Sequence, residues 1–180
     1  MARPLAFFLL LAGGVAADLW TKSEAFARVP EFTSHVVSEE LFEIEPTRNP
    51  GAMWSLFQDV PSWLWVIIRG SISIGLFVYY WRTRSMLPMW VHLAFAGVLA
   101  GALGNLHDNA FAEGGKVRDF IVVWIGSYKW PTFNVADSLI CVGAFLLLIH
   151  FIRLEEPNGT TEKTSQGSGD SDRDVGGAEA

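Results

Sequence analysis

The sequence predicts an all-α membrane protein: four transmembrane helices, a small extramembrane sheet and a short interfacial helix. Three observations predict it. Of 180 residues, 51% are apolar and 18% charged, with a mean hydropathy of +0.29. Four apolar runs approach the roughly 20 residues that a helix needs to cross a hydrocarbon core. The polar residues gather into two long loops and a C-terminal tail.

The first run is Leu5 to about Trp20. It has some features of a signal peptide: Arg3 as a basic start, Leu5 to Leu11 as an apolar core, and Val15-Ala16-Ala17 as a loose cleavage site. It is read instead as an uncleaved helix, because Asp18, Thr21 and Lys22 look like an interfacial polar end belonging to the fold. The loop from Ser23 to Pro61 follows. Phe42 and Ile44 alternate with Glu43 and Glu45, which predicts a strand that Pro46 breaks. Asn49-Pro50-Gly51 is a turn signal. Met53, Trp54, Leu56 and Phe57 fall at helical spacing and predict a short helix lying at the interface.

The second run is about Ser62 to Trp81 and the third about Leu87 to Leu106. Gly97 and Gly101 on the third form a GxxxG pattern for close helix packing. Asn105 and Asp108 extend the same face, so that face ends in an amide and a carboxylate. Gly114-Gly115 then turns the chain, and the β-branched and aromatic stretch Val117 to Trp124 predicts a second strand. The fourth run, about Phe133 to Leu154, opens with Asn134 and Asp137 one turn apart, where a helix N-terminus favours negative charge.

Arg82 and Arg84 lie in the short loop between runs two and three, which places that loop in the cytoplasm. Both chain ends are then cytoplasmic and both long loops face outward. From Glu155 to Ala180 there are seven acidic against two basic residues, and elsewhere twelve against eleven, so the membrane body is nearly neutral. No basic field suggests nucleic acid. Residues 1–154 are read as one transmembrane domain. Residues 155–180 are read as an acidic cytoplasmic tail too polar to fold. Cys141 is the only cysteine, which rules out an internal disulfide. The four histidines show no metal-ligand spacing, and HExxH and GxSxG are absent. No metal or cofactor is implied.

The chemistry lies in the acids. Asp119 follows a polar loop and Asp137 opens the last apolar run. An acid at the edge of hydrocarbon costs several kcal/mol unless it is paired, solvated or protonated. Two close carboxylates can share one proton and activate a water, which points to an intramembrane aspartic peptidase. Bland readings exist for each residue singly. Asp137 could be a helix cap, Asp108 a loop tie, and Asp18 with Lys22 a local ion pair. Convergence of several acids is harder to explain that way.

Five motifs occur in order: Asp18-x-x-Thr21-Lys22, Asn49-Pro50-Gly51-Ala52-Met53-Trp54-Ser55, Gly101 to Asp108, Val117-Arg118-Asp119-Phe120 and Phe133-Asn134-Val135-Ala136-Asp137. Together they resemble bacterial lipoprotein signal peptidase, signal peptidase II, over about residues 5 to 154. The resemblance implies four helices with an outer β-cradle in the bacterial inner membrane, and an active site near the outer face. It implies a peptidase that cuts lipid-modified prolipoproteins just before the modified cysteine and is inhibited by globomycin. It implies Asp119 and Asp137 as the catalytic dyad, with Asp18, Lys22, Asn49, Gly51, Asn105, Asp108 and Asn134 in support. The chain departs from the family at Asn109, where an arginine thought to hold the substrate is usual; Arg118 or Lys116 could replace it from the neighbouring loop. Met53 and Trp54 also replace a commoner small residue and Phe. Two rival readings are a proton-coupled membrane carrier and a catalytically dead relative that binds lipoproteins.

Overall fold

The computed structural model describes residues 2–50 and 61–155. Its order is α1 (Ala2–Arg28), β1 (His35–Ser38), β2 (Phe42–Asn49), α2 (Ser62–Thr83), α3 (Met89–Phe111), β3 (Val117–Ile125), β4 (Tyr128–Lys129) and α4 (Val135–Glu155). All four helices are long and apolar enough to cross a membrane. The expected interfacial helix around Met53 to Phe57, Gly51 and the tail beyond Glu155 lie outside the described residues.

The helices run further than their apolar cores alone suggest. α1 continues past Trp20 to Arg28. Asp18 and Lys22 do not mark an interface; both are fully buried and bonded inside the protein, so the helix has no reason to stop there. α3 likewise carries Asn105 and Asp108 inside its last turns.

α3 is the central element and packs against α1, α2 and α4. Phe7, Tyr80, Val91, Phe95, Leu99 and Leu147 form the apolar core at the end of the bundle away from the sheet. The outer faces of α2 and α4 expose Ile72, Ile74, Val142 and Phe145, as helices surrounded by lipid do.

Glycine sets the spacing of α3 and α4. A Cβ on Gly101 would collide with the Ala136 carbonyl oxygen and reach within 2.7 Å of Ile140 Cγ1. A Cβ on Gly97 would stand 3.5 Å from the Leu139 carbonyl, an ordinary contact. Only the second glycine of the GxxxG pattern is therefore sterically required. Gly101→Ala should separate the helices and cost about 1–3 kcal/mol, whereas Gly97→Ala should cost much less. Thermal unfolding in one detergent checks this, and equal midpoints for the two variants would refute the spacing argument.

The strands form one antiparallel sheet in the order β1-β2-β3-β4. β1 and β4 are edges that the sequence pattern did not announce. Pro46 does not break β2, contrary to expectation. The strand continues to Asn49, with a register shift between Ile44 and Thr47. Proline lacks an N–H for the ladder, so the chain bulges there and pairing resumes at Thr47 opposite Asp119. Gly114 and Gly115 both take positive φ in the expected turn ahead of β3.

Candidate active site

The end of the bundle beneath the sheet is polar and almost closed to solvent. Lys22 projects from α1 and is fully buried. Its Nζ lies 2.8 Å from Asp18 Oδ2, 3.1 Å from Asp108 Oδ2 and 3.0 Å from Asn105 Oδ1. The Asn105 oxygen takes one ammonium N–H as a hydrogen bond, and the two carboxylates pair with its charge. Asp18 Oδ1 also accepts the Ala136 N–H at 2.9 Å, which ties α1 to the first turn of α4. On the other side of Asp108, Arg118 closes the network. Its Nε and Nη2 donate to Oδ1 at 3.1 and 2.8 Å, and its backbone N–H donates to Oδ2 at 3.0 Å.

α4 begins with a reciprocal cap. Asn134 Oδ1 accepts the Asp137 N–H at 2.9 Å, and Asp137 Oδ2 accepts the Asn134 N–H at 3.2 Å. The bland reading of Asp137 as a helix cap is therefore correct as far as it goes. The cap leaves Asp137 Oδ1 to accept from Asn105 Nδ2 at 2.8 Å.

Just before α4, Phe133 pairs with Ile121 of β3 through backbone hydrogen bonds. That pairing brings Asn134 beside Asp119, whose Oδ1 accepts Asn134 Nδ2 at 2.6 Å. Asp119 Oδ2 accepts Asn49 Nδ2 at 3.0 Å from β2. One residue, Asn134, thus donates to both carboxylates, and Asn105 holds Asn134 Nδ2 at 3.1 Å. Asp119 is 2% exposed and Asp137 half-buried. Burial, and next the negative charge of Asp137, push the Asp119 carboxyl up to about 7 from an ordinary 3.8, against its hydrogen bonds from Asn49 and Asn134.

The sequence-predicted site residues Asp18, Lys22, Asn49, Asn105, Asp108, Asp119, Asn134 and Asp137 all meet in this one network. Gly51 lies outside the described residues. Arg118 and Lys116 were the groups expected to stand in for the arginine missing at Asn109. Arg118 is engaged by Asp108, and Lys116 is exposed. The guanidinium that reaches Asn109 comes from Arg69 on α2, with Nη1 2.6 Å from Asn109 Oδ1. Sequence reasoning did not single out Arg69. Its signal was available, since Arg69 is the sole charged residue between Ser62 and Trp81.

Residues 10–153 match a family model described as signal peptidase (SPase) II. A lipoprotein signal peptidase of Geobacillus thermodenitrificans is 32% identical over 160 residues, spanning 89% of this chain and 98% of that one. One from Xanthomonas oryzae pv. oryzae is 36% identical over 142 residues, spanning 78% and 84%. Among solved structures, a bacterial membrane enzyme determined by the in meso method at 2.3 Å is similar with a TM-score of 0.76 and 29% identity, covering 87% of this chain and 93% of that chain. A second, at 1.9 Å, gives 0.72 and 30%.

Proposed function

The chain belongs to the signal peptidase II family, and from that premise we propose that it is an intramembrane aspartic endopeptidase acting on prolipoproteins. It removes the signal peptide by cutting before the lipid-modified cysteine. The observation that carries this reading is the pair Asp119 and Asp137, joined through Asn134 and steadied by Asn49 and Asn105.

The raised Asp119 carboxyl makes it the natural holder of the shared proton. In this mechanism Asp137 takes a proton from the attacking water, and protonated Asp119 polarises the scissile carbonyl oxygen. Addition of water gives a tetrahedral diol. Asp137 then passes a proton to the departing amine of the cysteine as the C–N bond breaks, and Asp119 recovers its own. The hydrogen bonds from Asn49, Asn105 and Asn134 fix both carboxylates before substrate arrives, which lowers the reorganisation needed at reaction. Apolar outer faces on α2 and α4 suit lateral entry of a substrate that carries acyl chains.

The pH dependence follows from Asp119. Its folded value lies above the ordinary 3.8, so its contribution to stability is complete below about 4 and is lost as pH rises through about 7. The general acid disappears over the upper part of that window. We expect kcat/KM to fall about tenfold per pH unit above pH 7. A flat profile between about pH 6 and about pH 9 would remove Asp119 as the acid.

Orientation is part of the same reading. Arg82 and Arg84 support cytoplasmic termini and a dyad near the outer face. A cysteine introduced at exposed Ser127, in a Cys141→Ser background, should react with an impermeant reagent added outside. Reaction only from the cytoplasmic side would invert the topology.

The direct test is incubation of the purified protein with a prolipoprotein bearing a diacylglyceryl cysteine, read by mass spectrometry. The expected product begins at the modified cysteine, and globomycin should block its formation. Cleavage elsewhere, or none, would overturn the proposal.

A further inference from the structure

Arg69 is a charge in the apolar part of α2, and it has no carboxylate partner among the described residues. A spanning helix keeps an arginine at considerable cost, and such a residue is normally paired or functional. The contacts of Arg69 are with neutral groups. Nη1 donates to Asn109 Oδ1 at 2.6 Å and, more weakly, to the Asn105 carbonyl at 3.4 Å. The Trp65 ring lies 5.6 Å from its Cζ. Asn109 is itself oriented by Gly115, whose carbonyl accepts its Nδ2 at 2.7 Å, so its oxygen is committed to Arg69.

The guanidinium is therefore held on one edge and open on the other. It has five N–H donors. Nε and Nη2 bond to no described residue. Asn105, whose carbonyl it approaches, donates through its own Nδ2 to Asp137 Oδ1 at 2.8 Å. It thus stands near the dyad without touching it, fixed in position and offering a planar set of unused donors.

We propose that Arg69 is a substrate-binding residue, gripping backbone carbonyl oxygens of the extended peptide laid across Asp119 and Asp137. Its unused N–H donors can take a carbonyl oxygen of the substrate backbone, and charge-assisted bonds in a sheltered site are stronger than neutral ones. The grip is made alike in the bound substrate and at the transition state. It therefore acts on KM more than on kcat. This inference rests on the peptidase reading above.

The experiment is steady-state cleavage of a lipidated prolipoprotein by wild type, Arg69→Gln, Arg69→Lys and the double variant Arg69→Gln/Asn109→Arg. Arg69→Gln should raise KM roughly tenfold or more while kcat changes less than about threefold. Arg69→Lys should recover part of the loss. The double variant should recover most of it, because Asn109 adjoins the same space and can deliver a guanidinium there. To separate binding from folding, the dissociation constant of a labelled uncleaved substrate is measured on Asp119→Asn with and without Arg69→Gln. Equal constants, or an unchanged KM, would overturn the proposal. So would an Arg69→Gln defect that vanishes when phospholipid is removed from the assay, since Arg69 would then be holding a lipid phosphate. Absence of cleavage by wild type would instead overturn the peptidase reading itself.

Discussion

Asp119→Asn and Asp137→Asn should each lower cleavage of a lipidated prolipoprotein by roughly a thousandfold or more, while the protein still inserts and folds. An amide can neither take a proton from water nor donate one to the departing amine. The hydrogen bonding argues that the fold survives. Asp119 accepts one amide N–H on each oxygen, from Asn134 and Asn49, and an asparagine in its place keeps one of the two. Asp137 accepts the Asn134 N–H and Asn105 Nδ2, and an asparagine there can keep the cap while facing one donor with another. The structural cost is therefore one mismatched hydrogen bond, about 1–3 kcal/mol, and not loss of the site.

The double variant Asp119→Asn/Asp137→Asn should be scarcely slower than either single one. In the proposed mechanism the two carboxylates act as a unit, and groups that act as a unit give strongly non-additive effects. The measurement is single-turnover cleavage of one substrate by all four forms, with their thermal midpoints recorded in the same detergent. Wild-type-like turnover in either single variant would end the dyad assignment. A multiplicative loss in the double variant would mean that the two aspartates serve separate steps.

The four helices were legible in the sequence because length and hydropathy suffice to announce a span, and the acids were legible because charge beside hydrocarbon is rare. The ends of the helices were not. Asp18 and Lys22 read as an interfacial edge, since sequence alone does not show that Asp108 and Asn105, more than eighty residues away, complete their bonding. The short edge strands β1 and β4 have too few residues to establish an alternation. Pro46 read as a strand end because a proline removes a ladder donor; the bulge that absorbs it depends on β3 lying alongside. Of the candidate site, Asp119 and Asp137 stood out in the sequence by residue type. The role of Asn134 as the link between them was not, because it depends on Phe133 pairing with Ile121. Arg69 was passed over for a similar reason. Its partner, Asn109, lies on another helix, so the contact between them is not visible in the sequence.

Lys22→Met should be the most damaging single change to the fold outside the backbone contacts. The cluster of Asp18, Asp108, Lys22 and Arg118 balances two acids with two bases, and Asp18, Asp108 and Lys22 are fully buried. Methionine fits the apolar part of the lysine stem but removes the charge. Asp108 would still have Arg118, but Asp18 would keep only the Ala136 N–H. Removing one partner from a buried pair typically costs roughly 3–5 kcal/mol, most of it the penalty of the stranded charge. Activity should fall as well, because Asn105 loses one of the two donors that hold its oxygen while its Nδ2 positions Asp137. The stranded charge supplies its own control. Lys22→Met/Asp18→Asn restores neutrality, and an asparagine oxygen at 18 can still accept the Ala136 N–H. The double variant should therefore unfold at a higher temperature than Lys22→Met alone, despite carrying one more substitution. If the double variant is the less stable, Lys22 contributes through packing of its stem. If Lys22→Met keeps the wild-type midpoint, the buried charges are not balanced in the way the distances imply, and Asp18 must be carrying a proton of its own.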